Sequence, residues 1–226
     1  ASLQGRALHW PSKRNDSRHW DIYFRQFEQN PDFKFADDLI DTLVRQGSVD
    51  TNRIYAMGWS NGGFFAQSYA LWRHDHPTRG GNRVAAAMAY AGADPFMAPC
   101  DGEDACSLKQ VGTSSAAVLV LSRACDALVP CDSTQATQFA SPPGSDSTAW
   151  VARLKTTVGE ANVERHFVGN DGKEAQGCDA DCGFLKGTAN HIRWPDGVAD
   201  GSQADWEPLV LDFLRNHPLA APDAGP

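Results

Sequence analysis

The chain has 226 residues, a formal net charge of -8 and 42% hydrophobic residues, with 20 Lys and Arg against 28 Asp and Glu. This length and hydrophobic content support a substantial core and exclude wholesale disorder. An acidic chain is a poor partner for nucleic acid or for an anionic membrane surface. Its apolar runs are far shorter than the roughly 20 residues that span a bilayer. We therefore expect a soluble protein that binds neither nucleic acid nor membrane.

The first half of the chain alternates short apolar runs with segments of helical spacing. Residues 35–44 have apolar side chains at helical spacing and acids near their start, and Gly47 ends the pattern, which predicts a helix. A short apolar run suited to a buried strand follows. In chain order we predict a strand at 8–10, a loop at 12–34, a helix at 35–44, a strand at 54–57, a turn at 58–63 and a helix at 64–73.

The second half repeats this alternation. Strands that alternate with helices favour an α/β fold with a mostly parallel sheet flanked by helices. We predict one domain over residues 1–217, followed by a Pro- and Ala-rich tail or linker start at 218–226. The predicted elements are a strand at 84–90, a cysteine-containing insertion at 93–115, a strand at 116–121, a turn at 142–144, a helix at 148–157, a strand at 163–168, a Gly- and Asp-rich loop at 169–190 and a helix at 206–216.

The turn between the strand at 54–57 and the helix at 64–73 contains the pattern Gly58-x-Ser60-x-Gly62. A strand, this pattern and a helix in succession are what a nucleophile elbow requires. We expect the turn to be too tight for Cβ atoms on both sides of the serine, which explains the two glycines. Ser60 would then project from the end of the sheet, where the helix N-terminus stabilises negative charge. The competing interpretation is a glycine-rich turn with an ordinary serine.

A serine near neutral pH needs a base, and the base needs an acid to orient it. Asp126 lies a few residues beyond the strand at 116–121, where the acid of an α/β-hydrolase is expected, and Asp132 is its competitor. His191 alone among the seven histidines lies between the last strand and the last helix, whereas His166 falls inside a strand and is expected to be packed or at an edge. The competing interpretations are a turn-forming aspartate and a surface-loop histidine.

Six cysteines come as three local pairs along the chain. An even number with short spacings predicts disulfides and hence an oxidising compartment, outside the cell or in a periplasm. Six reduced thiols in a cytosolic protein are the alternative, and a zinc site is weaker because no Cys-x-x-Cys pair exists. The predicted bridges are Cys100–Cys106, Cys125–Cys131 and Cys178–Cys182.

Four motifs together resemble the secreted polyhydroxybutyrate depolymerase and feruloyl esterase group of α/β-hydrolases. The resemblance covers roughly residues 7 to 216 and supports the assignments of Asp126 and His191. The family commonly has His-x-Trp-Pro where this chain has one residue more. The motifs are Asp50-x-x-Arg53-Ile54-Tyr55, Gly58-Trp59-Ser60-Asn61-Gly62-Gly63, Asp126-x-x-Val129-Pro130 and His191-x-x-Trp194-Pro195.

The resemblance implies an α/β-hydrolase fold and a Ser-His-Asp triad of Ser60, His191 and Asp126, with the Asn61 N–H in the oxyanion hole. The family also carries an early His-Gly loop that donates a second oxyanion hydrogen bond, and no such motif precedes residue 37 here. We therefore expect a chain that lacks the N-terminal strands of the family, and a copy whose activity is reduced or lost.

Three functions compete at this point. The first is a secreted serine ester hydrolase acting on a polyester or on feruloyl or acetyl groups of plant polysaccharide. Trp59 and Trp194 would form an apolar wall for the acyl group, and the alternative is that they are core or rim tryptophans. The second is a serine peptidase of the prolyl-oligopeptidase type, and the third is an inactive binding relic. The chemistry needs no metal or organic cofactor, and the sequence does not indicate the oligomeric state.

Overall fold

The computed structural model describes residues 20–22, 27–47, 49–96, 111–112, 114–135, 146–194 and 205–220. The predictions for a strand at 8–10, a turn at 142–144 and the Cys100–Cys106 bridge lie outside these residues, as does most of the insertion at 93–115. No helix in the described ranges is both long enough and apolar enough to cross a membrane.

A five-stranded, mostly parallel sheet organises the described part of the chain. The strands follow one another in sequence order, with β1 to β4 parallel and the short β5 antiparallel to β4. This architecture confirms the predicted α/β class. The strands are β1 (Tyr55–Trp59), β2 (Ala86–Tyr90), β3 (Ala117–Arg123), β4 (Val163–Val168) and β5 (Glu174–Ala175).

Helices cover both faces of this sheet. Side chains from α1, α2 and α3 form one apolar cluster with Val118 and Val120 of β3. The alternate residues Leu119 and Leu121 point to the other face and form a second cluster with α5, as the two-residue period of a strand requires. The helices are α1 (Pro31–Arg45), α2 (Asn61–Arg73), α3 (Ser147–Val158), α4 (Phe184–His191) and α5 (Glu207–Asn216).

Two predicted loops contain regular structure. Helix α1 begins at Pro31, inside the predicted loop at 12–34, because the Asn30 side chain accepts hydrogen bonds from the Asp32 and Phe33 amides and caps the helix. Gly47, with φ of 79°, follows the helix as predicted. The predicted loop at 169–190 is also wrong in part, since it contains β5 and most of α4.

Candidate active site

Ser60 lies between the end of β1 and the start of α2 in a backbone conformation that is rare for a side-chain-bearing residue. Its φ is 52° and its ψ is -123°. Its amide donates to the Tyr90 carbonyl at the end of β2, 2.9 Å away, which fixes the turn to the sheet. Such a conformation costs on the order of 1–3 kcal/mol and persists only where the surroundings impose it. The strain falls on the residue that the sequence identifies as a nucleophile.

Glycines let the chain make this turn, although not at both predicted positions. A Cβ on Gly58 would lie 2.0 Å from the Gly62 carbonyl oxygen, so only glycine fits there. At Gly62 the nearest atoms to a Cβ belong to the Trp20 ring, 3.8 Å away, which is ordinary contact. At Gly63 a Cβ would lie 3.2 Å from the Gly58 carbonyl oxygen and 3.3 Å from that of Tyr90. The close approach thus involves Gly58 and Gly63, and the expectation for Gly62 is wrong.

The three predicted triad residues form one continuous hydrogen-bonded chain. His191 Nε2 lies 2.8 Å from Ser60 Oγ, and His191 Nδ1 lies 2.8 Å from Asp126 Oδ2. A carboxylate only accepts, so the proton lies on Nδ1 and Nε2 is left to accept from the serine hydroxyl. Asp126 is fully buried and His191 is 4% exposed. The imidazole is therefore oriented as a base toward Ser60.

The loop after β3 holds the carboxylate of Asp126 in place. Its other oxygen, Oδ1, accepts from the amides of Leu128 and Val129 at 2.8 and 2.9 Å. The competing residue, Asp132, bonds instead to Thr134 within its own turn. The structure thus brings Asp126, and not Asp132, to the histidine.

His191 is the last residue of helix α4, not a loop residue as predicted. The Trp59 indole donates to the His191 carbonyl at 2.8 Å. Two residues further on, the carbonyl of Arg193 accepts from the buried Arg123 guanidinium at 2.7 Å and from the Tyr90 hydroxyl at 2.5 Å. The backbone at His191 and just after it is thereby tied to β1, β2 and β3.

Two of the three predicted disulfides, Cys125–Cys131 and Cys178–Cys182, are wrong. Within the described ranges the bridges are Cys125–Cys182 and Cys131–Cys178, with Cα–Cα distances of 5.1 and 5.6 Å. Parallel neighbours β3 and β4 end side by side, so the segments that follow them run next to each other, and the Asp179 amide donates to the Ala124 carbonyl there. Each bridge therefore joins the acid-bearing loop to the segment that leads into α4.

The main chain and the side chain of Asn61 have different roles at the site. It is the first residue of α2, and the first amides of a helix have no carbonyl of their own helix to bind. Its side chain accepts from the Trp20 amide at 2.7 Å and donates to the Trp20 carbonyl at 3.1 Å. The Asn61 N–H thus adjoins Ser60 as predicted, while its side chain holds Trp20 beside the site.

A largely apolar cleft of about 850 Å³ opens beside Ser60 and His191. Trp20 stacks on Phe65 with ring centroids 4.4 Å apart, inside the predicted loop at 12–34. No periodicity singles out Trp20 in the sequence. Trp59 lies in the cleft wall as predicted, but Trp194 does not line the cleft and packs edge-on against Tyr90. The apolar lining includes Trp20, Leu39, Ile40, Trp59, Phe65 and Ile192.

The remaining polar clusters in the described part of the chain do not form a metal site. Within the described ranges no group of three or more His, Cys, Asp and Glu side chains could hold a metal ion. His166 lies on β4 between Glu164 and Glu174, 2.7 Å from each carboxylate. Burial lowers the pKa of His166, but these two contacts outweigh it and raise the pKa above its usual value. β4 lies between β3 and β5, so of the packed and edge positions predicted for His166 the structure shows the packed one, beside the Trp206 ring.

The strain at Ser60 has a measurable consequence. Ser60→Gly and Ser60→Ala both delete the hydroxyl, but glycine adopts a positive φ without a steric penalty. We expect Ser60→Gly to be more stable than Ser60→Ala by about 1 kcal/mol, after the entropy cost of glycine is subtracted. For a chain of this length that is roughly 2–4 °C in Tm, measured by calorimetry. Equal melting temperatures would show an unstrained turn.

Comparison of the sequence with protein-family models and with curated proteins found no match. The function of the chain is therefore inferred from its own residues and their geometry.

Proposed function

We propose that the chain is a serine carboxylic ester hydrolase with an α/β-hydrolase fold, of the polyhydroxybutyrate depolymerase and feruloyl esterase type. The observation that carries this proposal is the unbroken hydrogen-bonded series from Ser60 through His191 to Asp126. The strained elbow, which presents Ser60 at the end of a parallel strand, also supports the proposal. Chance contact of these three side chains would not require that conformation.

Acylation uses the geometry as it stands. Ser60 Oγ attacks the ester carbonyl carbon while His191 Nε2 takes the hydroxyl proton, and Asp126 stabilises the imidazolium that forms. The carbonyl oxygen becomes an oxyanion and accepts from the Asn61 N–H at the positive end of α2. The C–O bond then breaks, and the proton on His191 passes to the departing alcohol.

Deacylation repeats these steps with water. His191 Nε2 removes a proton from water, which attacks the acyl carbon, and the Ser60 oxygen leaves with the proton returned by His191. The net reaction consumes one ester and one water and yields one acid and one alcohol. No metal or organic cofactor takes part in this scheme.

The lining of the cleft beside Ser60 favours a substrate with an apolar acyl group. Aromatic and aliphatic side chains, with Trp20 and Trp59 among them, line it, and such a lining favours burial of uncharged substrate groups. We propose a polyester segment or a feruloyl or acetyl ester as substrate. The two disulfides support an oxidising compartment, which is consistent with a secreted enzyme.

A fluorophosphonate probe tests the proposal. Activated Ser60 attacks the phosphorus, displaces fluoride and retains the phosphonyl group, so mass spectrometry of the digested protein should find the adduct on Ser60. The label should disappear in Ser60→Ala. Absence of any adduct on the folded wild-type protein would favour the inactive relic.

A substrate panel separates esterase from peptidase. We expect the labelled enzyme to hydrolyse p-nitrophenyl esters and feruloyl or hydroxybutyrate esters, and to leave prolyl peptide substrates intact. Ser60-dependent cleavage of the peptides with no ester hydrolysis would favour the prolyl-oligopeptidase alternative.

A further inference from the structure

We propose that Asn190 is a positioning residue that sets the alignment of His191 against Asp126. Asn190 directly precedes His191 on α4 and is 8% exposed. Its side chain bonds to Cys125 and Asn170 and not to Ser60, and it does not line the cleft, so it acts through its neighbours. The kinetic part of this inference rests on the proposed function, whereas the structural part does not.

The amide nitrogen of Asn190 bonds across the site to the acid-bearing loop. Its Nδ2 donates to the carbonyl of Cys125 at 3.1 Å, and Cys125 directly precedes Asp126. The same nitrogen donates to Oδ1 of Asn170 at 2.6 Å, in the segment after β4. The side chain of Asn190, the residue before His191, is therefore bonded both to the residue before Asp126 and to the segment that follows β4.

Charged groups anchor the far end of this network. Asn170 Nδ2 donates to Asp179 Oδ2 at 2.6 Å, and the Lys186 ammonium donates to the same oxygen at 2.7 Å. The contact with Lys186, followed by that with Asn170, lowers the pKa of Asp179 to about 2. The carboxylate is thus ionised at neutral pH and holds Asn170 in the orientation that accepts from Asn190. Lys186 lies on α4, so the network returns to the helix that carries His191.

The chemistry at this position requires an amide. Both acceptors that face Asn190 Nδ2 are carbonyl oxygens, those of Cys125 and Asn170, so an aspartate would set a carboxylate oxygen against both of them. The Cys125–Cys182 bridge fixes the separation of the two segments near this point. Rotation about the bonds of this bridge remains possible, and the two hydrogen bonds of Asn190 restrict it.

Two measurements on Asn190→Ala and Asn190→Asp test the assignment. We expect kcat for p-nitrophenyl acetate to fall about 10- to 100-fold, the scale of a misplaced catalytic group, with KM within about twofold of wild type. Proton NMR should also detect the far-downfield signal of the His191 Nδ1–H bonded to Asp126. This signal should broaden or move upfield in both variants.

Matched variants define the specificity of the effect. Asn216→Ala removes an exposed asparagine at the end of α5 and should change neither kcat nor the downfield signal. Asn170→Ala removes one of the two acceptors but keeps the bond from Asn190 to Cys125, so it should give a smaller loss of kcat than Asn190→Ala. If Asn190→Ala fails to fold, Asn170→Ala is measured in its place.

The outcomes separate the two proposals. If the wild-type protein hydrolyses no ester, the proposed function fails, and the NMR signal still decides the role of Asn190. Folded Asn190 variants with wild-type kcat or with an unchanged downfield signal would overturn the positioning role, even where Ser60-dependent hydrolysis is established.

Discussion

Ser60→Ala should lower kcat/KM for the hydrolysis of p-nitrophenyl acetate by roughly 10⁴-fold or more. The hydroxyl of Ser60 is the atom that His191 Nε2 accepts from at 2.8 Å, and no acyl-enzyme forms without it. Deleting one hydroxyl leaves the buried core unchanged. The variant should therefore keep its secondary structure by circular dichroism.

Ser133→Ala is the matched control for this substitution. Ser133 is exposed in the turn that follows the Asp126 loop, so its loss removes the same chemical group from a nearby position. It should retain wild-type kcat/KM. Substantial turnover in Ser60→Ala, at more than a few per cent of wild type, would exclude Ser60 as the nucleophile.

Removal of the Cys125–Cys182 bridge should have the second-largest effect. The bridge joins residues 57 positions apart, and closing a loop of that length stabilises a fold by about 2–4 kcal/mol. We expect the Cys125→Ala and Cys182→Ala double variant to lose roughly 5–15 °C in Tm. We also expect kcat to fall about tenfold or more, because Cys125 adjoins Asp126 and Cys182 lies just before α4, which carries His191.

The second disulfide provides the control for this experiment. Cys131–Cys178 closes a span of 47 residues, so its removal should cost a similar stability. Its cysteines lie farther along the chain from Asp126 and His191, and we expect most of kcat to remain at temperatures below the melting transition. Equal kcat in the two double variants would mean that Cys125–Cys182 stabilises the fold without positioning the triad.

The elbow and the triad were predictable because their signals are local. Gly58-x-Ser60 lies between an apolar run and a helical pattern, and Asp126 and His191 follow it in the chain order that α/β-hydrolases use. Parallel strands bring their carboxyl ends to one edge of a sheet, so residues just past those ends converge. That rule brings Asp126 to His191 without any knowledge of the register.

The disulfide pairing could not be predicted in this way. Short spacing favours Cys125–Cys131, but the pairing depends on which strands are neighbours and how far the loops after them extend. β3 and β4 pair directly, and this brings Cys178 and Cys182 against the loop that begins at Ala124. A sequence with no alignment carries no direct signal for that adjacency.

Residues that act through tertiary contacts were missed for the same reason. Trp20 lies in a segment without periodicity, and its place in the cleft depends on the side chain of Asn61, 41 positions away. From the sequence, Asn190 is an ordinary residue of a predicted loop, and its role depends on the packing of α4 against the loop that carries Asp126. There, a Cβ on Gly187 would lie 2.6 Å from the Ala127 amide nitrogen. Such contacts depend on packing, which local patterns do not encode.

A crystal structure of the protein after reaction with a fluorophosphonate tests the central claim most directly. We predict a phosphorus–oxygen bond to Ser60 Oγ, a phosphonyl oxygen accepting from the Asn61 N–H, and the His191 imidazole hydrogen-bonded to buried Asp126. A phosphonyl group on another residue, or a His191 ring turned away from Ser60 and Asp126, would contradict the account.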